Sequence, residues 1–447
     1  MKDDPRSTSR LPGFNRLSPS QRRATLVEQR WISAPEAAAL PASCGFDEAC
    51  ADAMVENVIG MHGLPLAVAL NFRVNGTDRL LPMAVEEPSI VAACSYAARL
   101  TLARGGFTAQ ADPPLIAAQV QLLDVEDEAS AIERLEAQTE QILALANRTM
   151  PQMVARGGGA VELEIRVLER RMLCVHLIID CRDAMGANTA NSAAEAVAPL
   201  LAELSGGRYG LRILSNLADR RKVYLRAQVP IEALVCAGFP DGAAVRDAIL
   251  EAQRFAELDP YRAATHNKGV MNGVDAVLVA CGNDWRAVEA GAHAWAARTG
   301  RYQPLTRWTP APDGSLAGEL VMPLAASTVG GAAHSHPGVR AALALTRVEH
   351  ATELAMLAGA AGLASNLAAL RALSTEGIQS GHMALHARRI AAEAGAVNEQ
   401  IEAVAAQLSK EKVYRPERAR ELILLSAERE KRRVAQLEAH GAAGLAG

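Results

Sequence analysis

Between Leu115 and Asn216 the hydrophobic pattern switches repeatedly between the period of a strand and the period of a helix. Ile116 to Val125 reads as a strand, and Ser130 to Ala146 as one amphipathic, charged helix. Gly157-Gly158-Gly159 makes a turn, and Val161–Leu168 and Met172–Asp180 alternate as strands. A long helix from Thr189 to Leu204 ends at Gly206-Gly207, and a further strand follows near Leu211–Asn216. Few folds accept this β-α-β-β-α-β order, and the ferredoxin-like split βαβ unit is the one it fits. Residues 115–219 are therefore expected to form a small domain inserted into a larger one, built from 1–114 and 220–376. The segment 377–447 makes a separate helical tail.

The larger part must build its core without aromatic bulk. Half of the residues are hydrophobic but only 4% are aromatic, so Ala, Leu, Val and Ile fill the interior. Heavy alanine use favours helices, and the fold class is expected to be α+β with a mostly helical large domain. A length of 447 residues leaves ample chain for a sizeable core. The net charge is −4 and the pI about 6.2, which gives no electrostatic footprint for a nucleic acid. The basic clusters Arg220-Arg221-Lys222 and Lys431-Arg432-Arg433 are short and read as solvated surface. Seven cysteines are scattered without a CxxC pair, which argues for reduced thiols, with Cys94, Cys174 and Cys281 as small core residues. The N-terminus lacks the apolar segment of a signal peptide, and no apolar run approaches the ~20 residues of a membrane span. A soluble, cytoplasmic protein is expected.

Local signals place further elements. Ser18-Pro19 opens a helix, and Glu48–Val58 reads as another. Val68–Val74, the turn Asn75-Gly76 and Leu80–Val85 form a hairpin. Glu86-Glu87-Pro88-Ser89 then leads into an apolar helix ending at Gly105-Gly106. Acids before a helix compensate its dipole, which accounts for one of the pair, whereas a buried second carboxyl would be a proton donor. After a helix Gly242–Glu257, the stretch Asp259–Ala287 gathers Arg262, His266, Lys268, Asn272, Asp275, Asn283, Asp284 and Arg286 around one apolar run, Ala276–Ala280. That run reads as a buried strand holding polar groups at both ends. A hairpin around Pro312-Asp313-Gly314 and a small-residue helix Val348–Leu373 follow. His334 and His336 lack the carboxylates or spacing of a metal site, and so do His382 and His386, which stand at helical i,i+4 spacing. A histidine beside Gly381 serves better as a general acid, its unperturbed pKa lying near about 6.5. The tail is sparse in apolar residues and is expected to pack loosely. The turn Asp183-Ala184-Met185-Gly186-Ala187-Asn188 opens a helix, where backbone amides can meet a phosphate. Neither GxGxxG nor a Walker A motif occurs, so residue patterns alone leave a cofactor unproved.

ENVIG at 56–60, PMAVEEPSIVAA at 82–93, DAMGAN at 183–188, RAATHNKGVMNG at 262–273, GNDWRA at 282–287, VGGA at 329–332 and GHMALHAR at 381–388 occur in this order. Together they resemble 3-hydroxy-3-methylglutaryl-coenzyme A (HMG-CoA) reductase of the soluble, bacterial class II, and the resemblance covers nearly the whole chain. It implies reduction of the thioester to mevalonate by two hydride transfers through mevaldehyde, reversibly, with CoA released. The catalytic residues it implies are Glu87, Lys268, Asp284 and His382. Ser89, Arg262 and Asn272 would bind the hydroxymethylglutaryl group, and His386 and Arg16 would contact CoA. Asp183, Met185, Gly186, Asn188 and Asn216 fall on the nicotinamide-cofactor side, in a small domain that is not a Rossmann fold.

In NADH-using relatives an acidic residue follows the turn that reads Asn147-Arg148-Thr149-Met150 here. Its replacement removes the simplest repulsion against a 2′-phosphate, and Arg148 would favour one. Overall similarity to catabolic enzymes points to NADH, with NADPH possible and no metal. The resemblance also implies a homodimer, assembled into a hexamer as a trimer of dimers, and a C-terminal flap that brings His382 in. A same-fold reductase of another acyl-CoA and a catalytically silent assembly protein remain as alternatives.

Overall fold

The first helix begins where a serine and a proline dictate it. Ser18 accepts from the Gln21 amide while the Gln21 side chain accepts from the Ser18 amide, opening α1, Pro19–Glu28. The computed structural model describes residues 8–40, 47–331, 336–375, 377, 387–397 and 399–426, and the fold is α+β. The helix expected to reach Val58 ends at Met54, where Val55 is extended.

β1, Leu66–Val74, and β2, Thr77–Ala84, make the expected hairpin across Asn75-Gly76, both with positive φ. α2, Ile90–Thr101, leads to β3, Phe107–Ala111. These strands join β8, Lys222–Val229, β9, Thr306–Pro310, and β10, Leu316–Pro323, in a six-stranded sheet of order β2-β1-β3-β8-β10-β9. The large part is mostly helical around this one sheet, as expected. Its core joins that sheet to buried Ala, Val and Leu side chains of the covering helices.

The second sheet contains β4, Leu115–Leu123, β5, Gly159–Glu169, β6, Met172–Asp180, and β7, Arg208–Leu214. Its order is β5-β6-β4-β7 with every neighbouring pair antiparallel, which is the ferredoxin-like order. One charged helix was expected between β4 and β5. Two are found, α3, Glu128–Ala137, and α4, Thr139–Arg148, because the chain leaves helical geometry at Gln138. With α5, Ala187–Ser205, they cover the sheet and share a separate core.

α6, Gly242–Leu258, precedes the stretch that departs most from expectation. Ala276–Ala280 is no strand. It is the last part of α7, Pro260–Ala280, a 21-residue helix. Asp259 caps its start, accepting from the Tyr261 and Arg262 amides, and Pro260 occupies the first turn. Read alone, five apolar residues cannot be told from a buried strand. Read from Asp259, they continue a helical pattern.

α8, Trp285–Ala296, follows four residues later. α9, Pro337–Thr346, is capped by His336, whose Nδ1 accepts from the Gly338 and Val339 amides. α10, Ala351–Ser374, is the small-residue helix. It is long and apolar enough by composition to cross a membrane, which corrects the expectation that no such run exists, although most of it is buried here. A Cβ on Gly273 would stand 2.3 Å from the Ala361 carbonyl oxygen, and one on Gly362 2.7 Å from a Val274 methyl. α7 and α10 therefore meet backbone to backbone, and no larger residue fits. Cys94, Cys174, Cys181 and Cys281 are buried free thiols.

The described residues up to Glu86, with Ile90–Leu370, form one compact unit, while Glu87–Ser89 group with the described residues from Arg371 onward. The described part of the tail, expected to pack loosely, carries a core. Ile390, Val404, Leu408 and neighbouring alanines make a small core of their own, with α11, Glu399–Glu411, and a helix over 416–426. Arg418 clasps Glu411 there through its Nε and Nη2 at 2.8 and 2.9 Å.

Candidate active site

α7 displays one polar stripe. Tyr261, Thr265, Lys268, Asn272 and Asp275 follow at steps of three or four, and none of them is buried, whereas most positions between them are. Lys268 and Asn272 are thus one turn apart on one face, with Lys268 exposed and Asn272 half-buried. Arg262 sits in the first turn of α7, its guanidinium partly desolvated and its pKa lowered by that burial. His266, on the buried side, belongs to the scaffold. Its Nε2 lies 2.6 Å from Thr306 Oγ1, which donates to Asn366 Oδ1 at 2.9 Å, and Trp308 Nε1 donates to the same oxygen at 2.8 Å. Burial, with Arg262 nearby, pushes His266 down to about 3, so the ring is neutral.

Asp284 is the N-cap of α8 and accepts from the Ala287 amide at 3.1 Å. Asn283 fixes the turn before it. Its amide nitrogen donates to the Ser327 carbonyl at 3.1 Å and its oxygen accepts from the Ser327 amide at 2.6 Å. The structure thus brings Arg262, Lys268, Asn272 and Asp284 onto two consecutive helices that touch each other. Asp275 Oδ1 is buried without a partner, and Asp275 is pushed up to about 9 by burial and by the adjacent Glu289 carboxylate. Glu289 in turn meets His293 Nε2 at 2.5 Å.

Glu87 is half-buried where Glu86 is exposed, so the more covered acid of the pair is the second. Ser89 has a φ of 79° and a buried Oγ without a hydrogen-bond partner. Both belong to the second compact unit. Arg16 is exposed at the end of a 3-10 turn, Phe14–Arg16. His382, His386 and His334 lie outside the described residues.

A cavity of about 960 Å³ opens beside the small sheet, lined among others by Thr149, Met150, Arg156, Arg182, Asp183 and His350. Asp183 is locked in its wall. Its carboxylate accepts from the Ala351 amide at 2.9 Å, and its carbonyl accepts from the Thr328 amide at 3.0 Å. Gly186, with φ 95°, starts α5 without any side-chain cap, leaving the first amides of a 19-residue helix to an anion. A Cβ on Gly186 would strike Cys181 Sγ at 2.1 Å, so only glycine fits. The volume and the uncapped helix suit a dinucleotide with its pyrophosphate. Asn188 is exposed in the first turn of α5. Met185 and Asn216 line a separate crevice of about 10 Å³, with no room for a ligand group. Arg148 is exposed and does not line the cavity, while Met150 is only 4% exposed and packs into the small core. Among the described residues no cluster of three potential metal ligands occurs.

Arg221 escaped the reading of the sequence. Expected on a solvated surface, it is 4% exposed. It donates to the Ala184 and Met185 carbonyls at 3.3 Å each and to the Ala326 carbonyl, tying the turn at the cavity to the loop after β10. Its neighbours are paired too, Arg220 with Glu162 and Glu164, and Lys222 with Asp112. Nothing in a run of three basic residues distinguishes the buried one.

A family profile described as hydroxymethylglutaryl-coenzyme A reductase matches residues 18–387. The chain belongs to the HMG-CoA reductase family. The 3-hydroxy-3-methylglutaryl-coenzyme A reductase of Archaeoglobus fulgidus is 42% identical over 419 residues, 93% of this chain and 94% of that one. A probable HMG-CoA reductase of Borreliella burgdorferi is 33% identical over 338 residues, 75% of this chain and 77% of its own length. The class II HMG-CoA reductase of Streptococcus pneumoniae, solved bound to NADPH in open conformations, has a TM-score of 0.78 at 39% identity, covering 81% of this chain and 99% of that one. Another structure of the Streptococcus pneumoniae enzyme has a TM-score of 0.78 at 38% identity, covering 92% and 98%. The ferredoxin-like insertion and the large sheet are thus those of a class II HMG-CoA reductase.

Proposed function

We propose that this chain is an HMG-CoA reductase, interconverting HMG-CoA with mevalonate and CoA through mevaldehyde. The observation that carries the reading is the α7 stripe, which presents Lys268 and Asn272 one turn apart on a helix that leads directly to Asp284. The nicotinamide dinucleotide, when bound, supplies and accepts hydride. Reduction of a carbonyl builds an alkoxide, which a preorganised ammonium stabilises far better in a dry site than water does. Lys268 takes that role, and Asp284 orients and polarises it. Glu87 gives a proton to the aldehyde oxygen. His382 protonates the departing CoA thiolate so that it does not add back. Arg262 pairs with the substrate carboxylate, and Ser89 and Asn272 hold the rest of the hydroxymethylglutaryl group. Arg16 and His386 contact CoA.

The dinucleotide lies in the cavity of about 960 Å³, with Asp183, Gly186 and Asn188 at the start of α5 and Met185 and Asn216 behind it. Asp183 is the only carboxylate among the described lining residues, so no free acid favours NADH over NADPH. Residues 115–219 act as the cofactor domain, 1–114 with 220–376 as the substrate domain, and 377–447 as a flap. The working assembly is a dimer, built up to a hexamer. Purified protein mixed with HMG-CoA and either dinucleotide tests the reading, followed at the nicotinamide absorbance. Two dinucleotides oxidised per CoA released are expected, and no oxidation with either would refute it.

A further inference from the structure

We propose that Arg156 selects the 2′-phosphorylated dinucleotide, NADP(H), by pairing with its third phosphate. The inference rests on the reading of the cavity as a nicotinamide-dinucleotide site. The pyrophosphate, shared by both dinucleotides, is provided for at the uncapped start of α5. A phosphate on the adenosine ribose needs separate charge, and the cavity wall carries two guanidiniums, Arg156 and Arg182.

The two arginines differ. Arg182 is held in place: its Nη2 donates to the Gly157 carbonyl, and its Nε lies 3.8 Å from Asp180 Oδ2, so its charge is partly compensated. Arg182 has a φ of 52°, and a Cβ on Gly157 would come within 2.6 Å of its Nη2. The glycine turn therefore lets this side chain lie across it, next to Arg156. Arg156 follows the short helix Pro151–Ala155, is exposed, and makes no ion pair among the described residues. An uncompensated guanidinium beside a compensated one matches a dianion better than a neutral hydroxyl.

The opposite preference requires a carboxylate for the ribose 2′-hydroxyl. The only described acid in the lining, Asp183, is engaged by the Ala351 amide and lies 3.4 Å from His350 Nδ1. Met150, also in the lining, is uncharged and its side chain is committed to the small core. The exposed lining position beside it, Thr149, carries no charge.

Calorimetric titration of the full chain with NADP+ and with NAD+ tests this, with adenosine 2′,5′-bisphosphate and 5′-AMP as fragments. NADP+ is expected to bind at least about tenfold more tightly than NAD+ at low salt, as a charge-assisted contact gives. That advantage should shrink as ionic strength rises. Arg156→Leu should remove most of it, and Arg156→Lys should retain part. Thr149→Asp should lower the ratio by placing an acid at the lip. Equal affinities in the unaltered chain, or a ratio that survives Arg156→Leu, overturn the inference while leaving the cavity reading intact. Binding of neither dinucleotide overturns both.

Discussion

In the proposed mechanism Lys268 and His382 carry separable chemistry, and single substitutions should separate them. If Lys268 is the oxyanion partner of both reductions, Lys268→Ala should lower kcat by at least about two orders of magnitude with HMG-CoA and with free mevaldehyde alike. His382→Ala should impair only the reaction that releases CoA, so mevaldehyde reduction should persist. Equal loss of both activities in the histidine variant would refute thiolate protonation as its role. Asp275 is a different case. Its native carboxyl, pushed up to about 9 against an ordinary value near 3.8, keeps a proton that the unfolded chain releases. Stability from this group therefore falls as pH rises through that window. Asp275→Asn keeps a donor toward Glu289 but cannot ionise. In denaturant melts the variant should gain on the parent between pH 5 and pH 8, by more than about 1 kcal/mol. A constant difference across that range would mean that Asp275 is ionised in the native protein.

The helix pair α7–α10 sets where Lys268 stands. Gly273→Ala would place a methyl 2.3 Å from the Ala361 carbonyl oxygen, and backbone cannot give way as a side chain does. A loss of about 1–3 kcal/mol in chemical denaturation is expected, with a lower kcat, since the helix carrying Lys268 and Asn272 must shift. An unaltered midpoint would show that the crossing has slack. At this scale the sequence was readable where local rules act alone. The capping box at Ser18, the Asn75-Gly76 hairpin and the ferredoxin-like strand order all depend on neighbours in the chain. α7 defeats a local reading because its last five apolar residues lie some sixteen positions from the Asp259-Pro260 start that marks the helix. Arg221 and Asn366 are invisible for another reason. Each is bound to backbone or side chains remote in sequence, and a polar residue gives no local sign that it is buried. The motifs gathered the candidate catalytic residues because the chemistry fixes their identity, whereas the contacts that hold them are fixed only by the fold.

Among the described residues, one exposed apolar run fits the proposed dimer. Met54, Val55, Ile59, Met61 and Leu64 are all exposed, with Ile59 fully so. Such a run in ENVIG and its flanks suits an interface between copies of the chain. Ile59→Glu should shift the sedimentation equilibrium toward monomer and reduce activity in parallel. A variant that remains fully associated would place the interface elsewhere.

Asp183 couples the cavity wall to the start of α10. One residue lines the cavity, holds the first amide of α10 and receives the Thr328 amide. The cavity wall and the opening turn of the longest described helix are therefore expected to open together in native-state hydrogen exchange. Thermal fluctuations that loosen the turn must unravel the helix start as well, and an occupant that steadies the wall also slows fraying at Ala351.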